Sequence, residues 1–113
     1  MDEHRALRSV ELHILLSVVD QPRHGYAILQ EAEERTGGRP GFEIPTLYRA
    51  LRRLREEGWI AVVDREAGVR GPQRETYGAT EQGRGALAGE LQRMEVALSV
   101  GRARLAGAGD AGS

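Results

Sequence analysis

The chain has 113 residues, enough for one domain with a modest core, and its 40% hydrophobic and 29% charged content is ordinary for a globular protein. It contains no cysteine, which excludes disulfides, thiolate metal sites and a cysteine nucleophile. Its formal net charge of −1 excludes a uniformly basic nucleic-acid coat, and the sequence has no apolar run of membrane-spanning length.

Two amphipathic helices are predicted in the first third of the chain. Residues 7–19 have apolar side chains at helical spacing, and Glu11 lies outside that apolar stripe. Residues 24–35 repeat the pattern and are followed by the glycine pair at 37–38, which suits the end of a helix. The apolar faces of both helices are therefore expected to contribute to the core.

A third helix, residues 45–57, has clear signals at both ends. Pro45 suits the first helical turn, and Gly58 suits the left-handed position just after the last turn. Its apolar residues recur at i, i+3, i+4 and i+7: Leu47, Ala50, Leu51 and Leu54. This helix is therefore predicted to bury one narrow stripe and to expose the rest of its surface.

The exposed surface of this third helix is predicted to be basic. Residues 39–55 include five arginines and one glutamate, a local charge of +4, so the rest of the chain holds −5. The side chains expected off the apolar stripe are Thr46, Tyr48, Arg49, Arg52 and Arg53. Such a helix suits the DNA major groove, although a solvated helix that happens to use arginine would show the same pattern.

A β-hairpin is predicted after Gly58. Residues 59–65 are β-branched and short, residues 66–73 contain glycine and proline, and residues 74–78 form a second strand. Arg70 lies in the predicted loop and Arg74 on the strand that follows it. In a winged helix, both side chains are expected to contact DNA phosphates or the minor groove from the wing, residues 60–78.

A long last helix is predicted from Thr80, which suits its N-cap. Apolar residues follow it at near-heptad spacing: Leu87, Leu91, Met94, Leu98 and Leu105. This seam is longer than a small domain covers, which predicts a homodimer through this helix. The predicted organisation is a DNA-binding domain at 1–79, a dimerisation helix at 80–106 and a disordered tail at 107–113.

The predicted fold class is mainly α with a small β-hairpin: a winged helix-turn-helix with a C-terminal dimerisation helix. Three segments, His24-Gly-Tyr-Ala-Ile-Leu, residues 46–60 and Tyr77-Gly-Ala-Thr-Glu-Gln-Gly, together resemble the PadR family of transcriptional regulators. The resemblance implies a bacterial homodimeric repressor whose third helix reads double-stranded DNA, whose wing contacts the backbone or minor groove and whose last helix dimerises. No cofactor is predicted from the residues.

The chain departs from the family pattern at three places, one of which is Trp59, where the usual residue after the helix-ending glycine is aliphatic. Ile44-Pro45 stands before the Thr-Leu-Tyr motif, where family members often carry glycine or serine. Some small members bind flat aromatic drugs between aromatic side chains of the last helix, but residues 80–113 contain no aromatic residue. The resemblance therefore leaves open whether a small-molecule inducer exists.

The residues do not favour an enzyme. The three histidines lack metal-ligand spacing, and no serine has the sequence context of a nucleophile. The charged N-terminus does not resemble a signal peptide, which favours a cytoplasmic protein without a membrane partner. The sequence predicts a repressor that binds an inverted-repeat operator. The alternative is a winged helix used only for protein contact, which requires an apolar patch on the exposed face of the central helix.

Overall fold

The structure is a computed structural model that describes residues 5–39, 41–66 and 74–111. In chain order its elements are α1 (Ser9–Val18), β1 (Arg23–His24), α2 (Gly25–Arg35), α3 (Ile44–Glu56), β2 (Ile60–Glu66), β3 (Arg74–Ala79) and α4 (Glu81–Ala111). The predicted fold class, mainly helical with a small antiparallel hairpin, is confirmed.

The sheet has three strands rather than the predicted two, in the order β1-β3-β2, and both pairs are antiparallel. Residue Tyr77 of β3 lies opposite Arg23 on one side and Val62 on the other. The prediction that His24 begins the second helix is wrong, because His24 belongs to β1 and is the N-cap of α2. A strand of two residues is too short to show an alternating pattern, so only its pairing with β3 reveals it.

The hydrophobic core lies between the three-helix unit, the sheet and the start of α4. The predicted stripe of α3 is confirmed, since Leu47, Ala50, Leu51 and Leu54 are all buried. Around it pack the following residues of the other elements: Val10, Ile14, Leu15, Val18, Ile28, Leu29, Trp59, Ile60, Tyr77, Ala86 and Leu87. The exposed face of α3 is therefore fixed by the burial of its opposite face.

The end of α3 joins the helix directly to the wing. Gly58 has φ of +79°, as predicted for the left-handed position. The Trp59 N–H donates to the carbonyl of Leu54 at 2.9 Å, and the Gly58 N–H donates to that of Arg55 at 3.0 Å. These two bonds form a Schellman motif, in which Trp59 and Leu54 are both core residues. The strand β2 therefore leaves the helix at a defined angle.

The start of α4 is tied to the same point. The Gly83 N–H donates to Thr80 Oγ1 at 3.1 Å, which confirms Thr80 as the N-cap. Thr80 Oγ1 donates to the carbonyl of Gly58 at 2.6 Å. A Cβ built on Gly83 would lie 2.0 Å from the carbonyl oxygen of Trp59, so the helix approaches the wing backbone as closely as glycine permits.

Most of α4 extends away from the domain. The helix has 31 residues, or roughly 46 Å at about 1.5 Å per residue, and the described molecule measures 64 × 37 × 21 Å. Ala86 and Leu87 are buried, whereas residues 91–100 are all exposed. The helix continues to Ala111, beyond the predicted end at 106, so the prediction of a disordered tail from residue 107 is wrong as far as Ala111.

Candidate nucleic-acid interface

The exposed face of α3 presents two arginines. Arg49 and Arg52 are exposed, and they lie opposite the buried stripe that anchors the helix. Arg49 Nη2 donates to Thr46 Oγ1 at 3.3 Å, a contact within the first two turns. Among the residues that the structure describes, Arg52 has no ion-pair or side-chain hydrogen-bond partner. Both guanidinium groups are thus available to an anionic or hydrogen-bonding partner.

Arg53 is positioned differently from its neighbour. Its Nε donates to Glu11 Oε2 at 3.0 Å, and the Arg53 side chain is 33% exposed, against 0% for that of Glu11. Helix geometry explains the difference, because Arg53 lies on the flank of α3 that faces α1. Glu11, predicted to lie outside the apolar stripe, is fully buried between the helices. The structure therefore gives Arg53 an intramolecular partner that the sequence did not indicate.

Glu11 receives several donors in its buried position. Arg5 binds it with two hydrogen bonds, from Nη1 to Oε1 at 2.7 Å and from Nη2 to Oε2 at 2.6 Å. The Arg8 N–H also donates to Oε1 at 2.8 Å. Burial raises the pKa of Glu11, but the bonds from Arg5, Arg8 and Arg53 outweigh it and lower the pKa to about 2. The carboxylate is therefore ionised at neutral pH.

Arg5 connects this carboxylate to the base of the wing. Its Nε and Nη2 donate to the two oxygens of Glu57 at 3.0 and 2.7 Å. Its guanidinium carbon lies 4.8 Å from the ring centroid of Trp59, a cation–π distance. The cluster formed by Arg5, Glu11, Arg53 and Glu57 thus holds the N-terminal segment, α1 and the end of α3 together.

Tyr48 lies on the other flank of α3, where α3 meets the start of α2. A Cβ built on Gly25 would lie 2.9 Å from the Tyr48 hydroxyl oxygen, so the ring edge rests on the Gly25 backbone. The side of the residue away from α2 is open, and Tyr48 is 48% exposed. Tyr48 is therefore a positioned, half-exposed ring rather than a core residue.

Two exposed apolar side chains near Tyr48 were not among the predicted site residues. Ile44, the first residue of α3, is 53% exposed, and Tyr26 in the first turn of α2 is 65% exposed. Ile44 and Tyr48 are therefore two exposed apolar side chains on the flank of α3 beside its basic face. Ile44 precedes Leu47 by three residues and Leu51 by seven, so its spacing alone would have placed it on the buried stripe, and only the structure shows it exposed.

The described arginines on the wing strands, together with Arg55 in the last turn of α3, fall into two groups. Arg74 begins β3 and is exposed, without an ion-pair partner among the described residues. Arg65 and Arg55 both approach Glu75 Oε2, at 3.3 and 3.5 Å. These two arginines are therefore partly neutralised, whereas Arg74 is not. The predicted loop contact, Arg70, lies outside the described residues.

The apolar seam of α4 is divided by the structure. Leu87 is buried in the core of its own domain, since the first turns of α4 pack against the domain. It is therefore a core residue, and the predicted intermolecular seam begins one turn later. The other four members are exposed: Leu91, Met94, Leu98 and Leu105. They continue the face on which Leu87 lies into a region with no intramolecular cover among the described residues.

The described residues contain no group of three or more histidine and acidic side chains arranged to hold a metal ion. None of the helices in the described part of the chain combines the length and apolar character that crossing a bilayer requires. The helices α2 and α3 form a pair that is followed directly by the β2–β3 hairpin and packs closely against it. This arrangement defines a winged helix-turn-helix protein.

The comparisons identify the family. Residues 14–89 match the transcriptional regulator PadR-like family, and the chain belongs to that family. A search of curated proteins gave no significant match.

Solved structures share the fold. A PadR family transcription regulator from Clostridium difficile R20291 aligns with a TM-score of 0.72 at 22% identity, covering 87% of this chain and 99% of that one. A PadR-like regulator from Bacillus cereus strain ATCC 14579 gives 0.70 at 22% identity, covering 85% and 90%. Bacillus subtilis PadR in complex with operator DNA gives 0.66 at 23% identity, covering 74% of this chain and 47% of that one.

Proposed function

We propose that this chain is a transcriptional repressor that binds an inverted-repeat DNA operator as a homodimer. The observation that carries the proposal is the exposed face of α3, where Arg49 and Arg52 lie opposite a fully buried stripe. A helix fixed on one side and basic on the other matches what a major groove accepts. The related fold of Bacillus subtilis PadR, solved in complex with operator DNA, supports this use of the fold.

Within α3, the structure separates residues that are free to bind from those already engaged. Arg52 has no partner among the described residues, and Arg49 contacts only Thr46. Either guanidinium can donate two hydrogen bonds to the O6 and N7 atoms of guanine. Thr46, in the first turn, is proposed to lie near a phosphate, where helix N–H groups favour an anion. Arg53 forms an ion pair with Glu11 and is therefore not proposed as a DNA contact.

The wing is proposed to bind the DNA backbone. Arg74 lies on β3 next to the hairpin loop, exposed and without an ion pair among the described residues. We also propose that Arg70 binds the DNA backbone, because the sequence places it between the two strands of the wing. Phosphate contacts of this kind fix the orientation of a protein on the duplex but do not read its sequence. Replacing both arginines by alanine is therefore expected to weaken binding to the specific site and to random DNA equally.

The homodimer is proposed to form through α4. The exposed seam runs from Leu91 to Leu105, which are 14 residue steps apart, or roughly 21 Å at about 1.5 Å per residue. A second copy with the same seam would bury it in a symmetric helix pair. The two α3 helices would then contact half-sites roughly 34 Å apart, one turn of DNA.

The repressor assignment is tested first by selecting duplexes from a random library and measuring affinity. Arg52→Ala should lose about 1–3 kcal/mol of discrimination for the selected site, the value of a bidentate arginine–guanine contact. Arg104→Ala is the matched control, since Arg104 is exposed on α4 and far from α3. Equal binding by the native chain and Arg52→Ala, with unchanged sequence preference, would reject the recognition-helix assignment. A reporter gene placed behind the selected site should fall in expression when the regulator is produced.

The dimer is tested by sedimentation. Leu91→Glu combined with Leu98→Glu places charges in the seam and should produce a species of the chain mass, 12.4 kDa. Val96→Glu combined with Val100→Glu is the control, because these exposed valines lie on the opposite side of α4 and the pair should remain dimeric. A native protein that sediments as a monomer at micromolar concentration would contradict the proposal.

A further inference from the structure

We infer that Ile44 reads a thymine in the operator half-site through its C5-methyl group. The inference rests on the proposed DNA-binding function and extends it from arginine–guanine contacts to a specific apolar contact. It concerns the surface formed by Ile44 and Tyr48, which we call the apolar tip of α3.

The position of Ile44 leaves its side chain no role in the core. It is the first residue of α3, after Glu43 at the N-cap, and its side chain is absent from the cluster of buried and partly buried residues that forms the core. It is 53% exposed, although isoleucine is among the residues most often buried. The Leu47 N–H donates to the Glu43 carbonyl at 3.0 Å, so Ile44 is held in a regular first turn.

Tyr48 follows Ile44 by one helical turn, so the two side chains lie on the same edge of α3. Its ring edge rests against Gly25, within 2.9–3.2 Å of where a Cβ would be, and this contact restricts the ring. The apolar tip therefore has a fixed shape on the side of α3 that faces α2.

The neighbouring charges indicate which partner fits this tip. Arg49 and Arg52 are exposed on the adjacent face of the same helix, and segment 39–55 has a local charge of +4. An apolar surface bordered by exposed arginines is complementary to a partner that is strongly anionic yet carries isolated methyl groups. In the major groove, only thymine among the four bases presents a methyl group, at C5.

The geometry also limits where the thymine lies. Ile44 and Arg52 are eight residues apart, or roughly 12 Å along the axis at about 1.5 Å per residue. With base pairs spaced at about 3.4 Å, the thymine should lie within about four base pairs of a guanine read by Arg52.

The test replaces thymine with deoxyuridine in the duplex selected by the full chain, one position at a time. This substitution removes the methyl group and keeps the base pair and every hydrogen-bonding group of the groove. The native chain should lose about three- to five-fold in affinity at one thymine per half-site, the value of one buried methyl group. Ile44→Ala removes the contact from both protomers, so it should bind the thymine duplex as weakly as the native chain binds a duplex with deoxyuridine at that position in both half-sites, and it should show no further loss on the latter.

Two controls separate this contact from a change in folding or in general DNA affinity. Val96→Ala removes a comparable exposed aliphatic side chain from α4 and should retain the full thymine preference. Ile44→Val should retain most of it. Circular dichroism of Ile44→Ala should match the native chain, since the side chain is exposed.

The possible outcomes are distinguishable. Equal affinity of the native chain for thymine and deoxyuridine duplexes at every position, or a thymine preference that persists in Ile44→Ala, overturns the inference while the proposed function stands. An affinity for the selected duplex that Ile44→Ala leaves unchanged also overturns it. Failure to select any duplex refutes the proposed function, and the inference falls with it.

Discussion

Gly83→Ala is expected to destabilise the protein even though it places a better helix former in α4. Alanine is favoured over glycine inside a helix by about 1 kcal/mol, so local propensity predicts a gain in stability. The structure predicts the opposite, because the new Cβ would lie 2.0 Å from the Trp59 carbonyl oxygen and 3.3 Å from Leu15 Cδ2. The first contact is with backbone, which has no rotamer through which to move away.

The magnitude follows from what must move. An ordinary contact needs at least 3.4 Å, so α4 and the start of the wing must separate by more than 1 Å. That movement weakens the Thr80 hydrogen bonds to Gly58 and Trp59, at 2.6 and 3.1 Å. Each such bond contributes about 1 kcal/mol, and overpacking itself costs about 1–3 kcal/mol. After the propensity gain, Gly83→Ala should lower the free energy of unfolding by about 2–4 kcal/mol.

Thermal and urea unfolding at one fixed protein concentration measure this change, because a dimer makes Tm depend on concentration. A loss of about 2–4 kcal/mol should lower Tm by roughly 8–16 °C in a domain of this size. Gly89→Ala is the matched control, since its Cβ would meet only the flexible end of Arg93 at 3.4 Å. That variant should gain up to about 1 kcal/mol. A Gly83→Ala variant as stable as Gly89→Ala would refute the close approach of α4 to the wing.

Two further predictions concern the cluster at Glu11 and the ring of Tyr48. The pKa of Glu11 is lowered to about 2 in the folded chain. The stability that the ionised carboxylate gives to the fold is therefore complete above about pH 4.5 and is lost as the pH falls toward 2. The free energy of unfolding, measured with urea at a series of pH values, should fall by about 3 kcal/mol more over this range for the native chain than for Glu11→Gln. If the two chains lost stability in parallel as the pH fell, the cluster around Glu11 would be contradicted. Gly25→Ala should displace the Tyr48 ring and change DNA affinity, with little loss of helix content by circular dichroism; an unchanged affinity would show that the ring position is not used.

The recognition helix was predictable from the sequence because its signals are local. The spacing of Leu47, Ala50, Leu51 and Leu54 requires only the helical period, and all four side chains are buried as expected. Gly58 was predicted from the need for positive φ at a helix end, and it has φ of +79°. Capping by Thr80 depends on a side chain and the backbone three residues later, so it too is visible in sequence. Each of these features is determined within one or two helical turns.

Features that depend on contacts across the chain were not predictable. Arg52 and Arg53 are adjacent, and both lie off the apolar stripe, but only Arg53 meets Glu11, 42 residues away. Burial of Glu11 was unexpected because a lone glutamate on α1 reads as a surface residue until its arginine partners are known. Leu87 fits the heptad spacing of the seam, yet it is buried in the core of its own domain.

The sequence by itself therefore determined which segments are helices, which faces of them are apolar and that a basic helix is followed by a hairpin. The tertiary structure alone decided which arginines remain free, that Ile44 is exposed beside them, and that glycine is required at 83. The physical reason is that helical period and backbone preference act between near neighbours, whereas ion pairing and close backbone approach depend on segments that folding brings together.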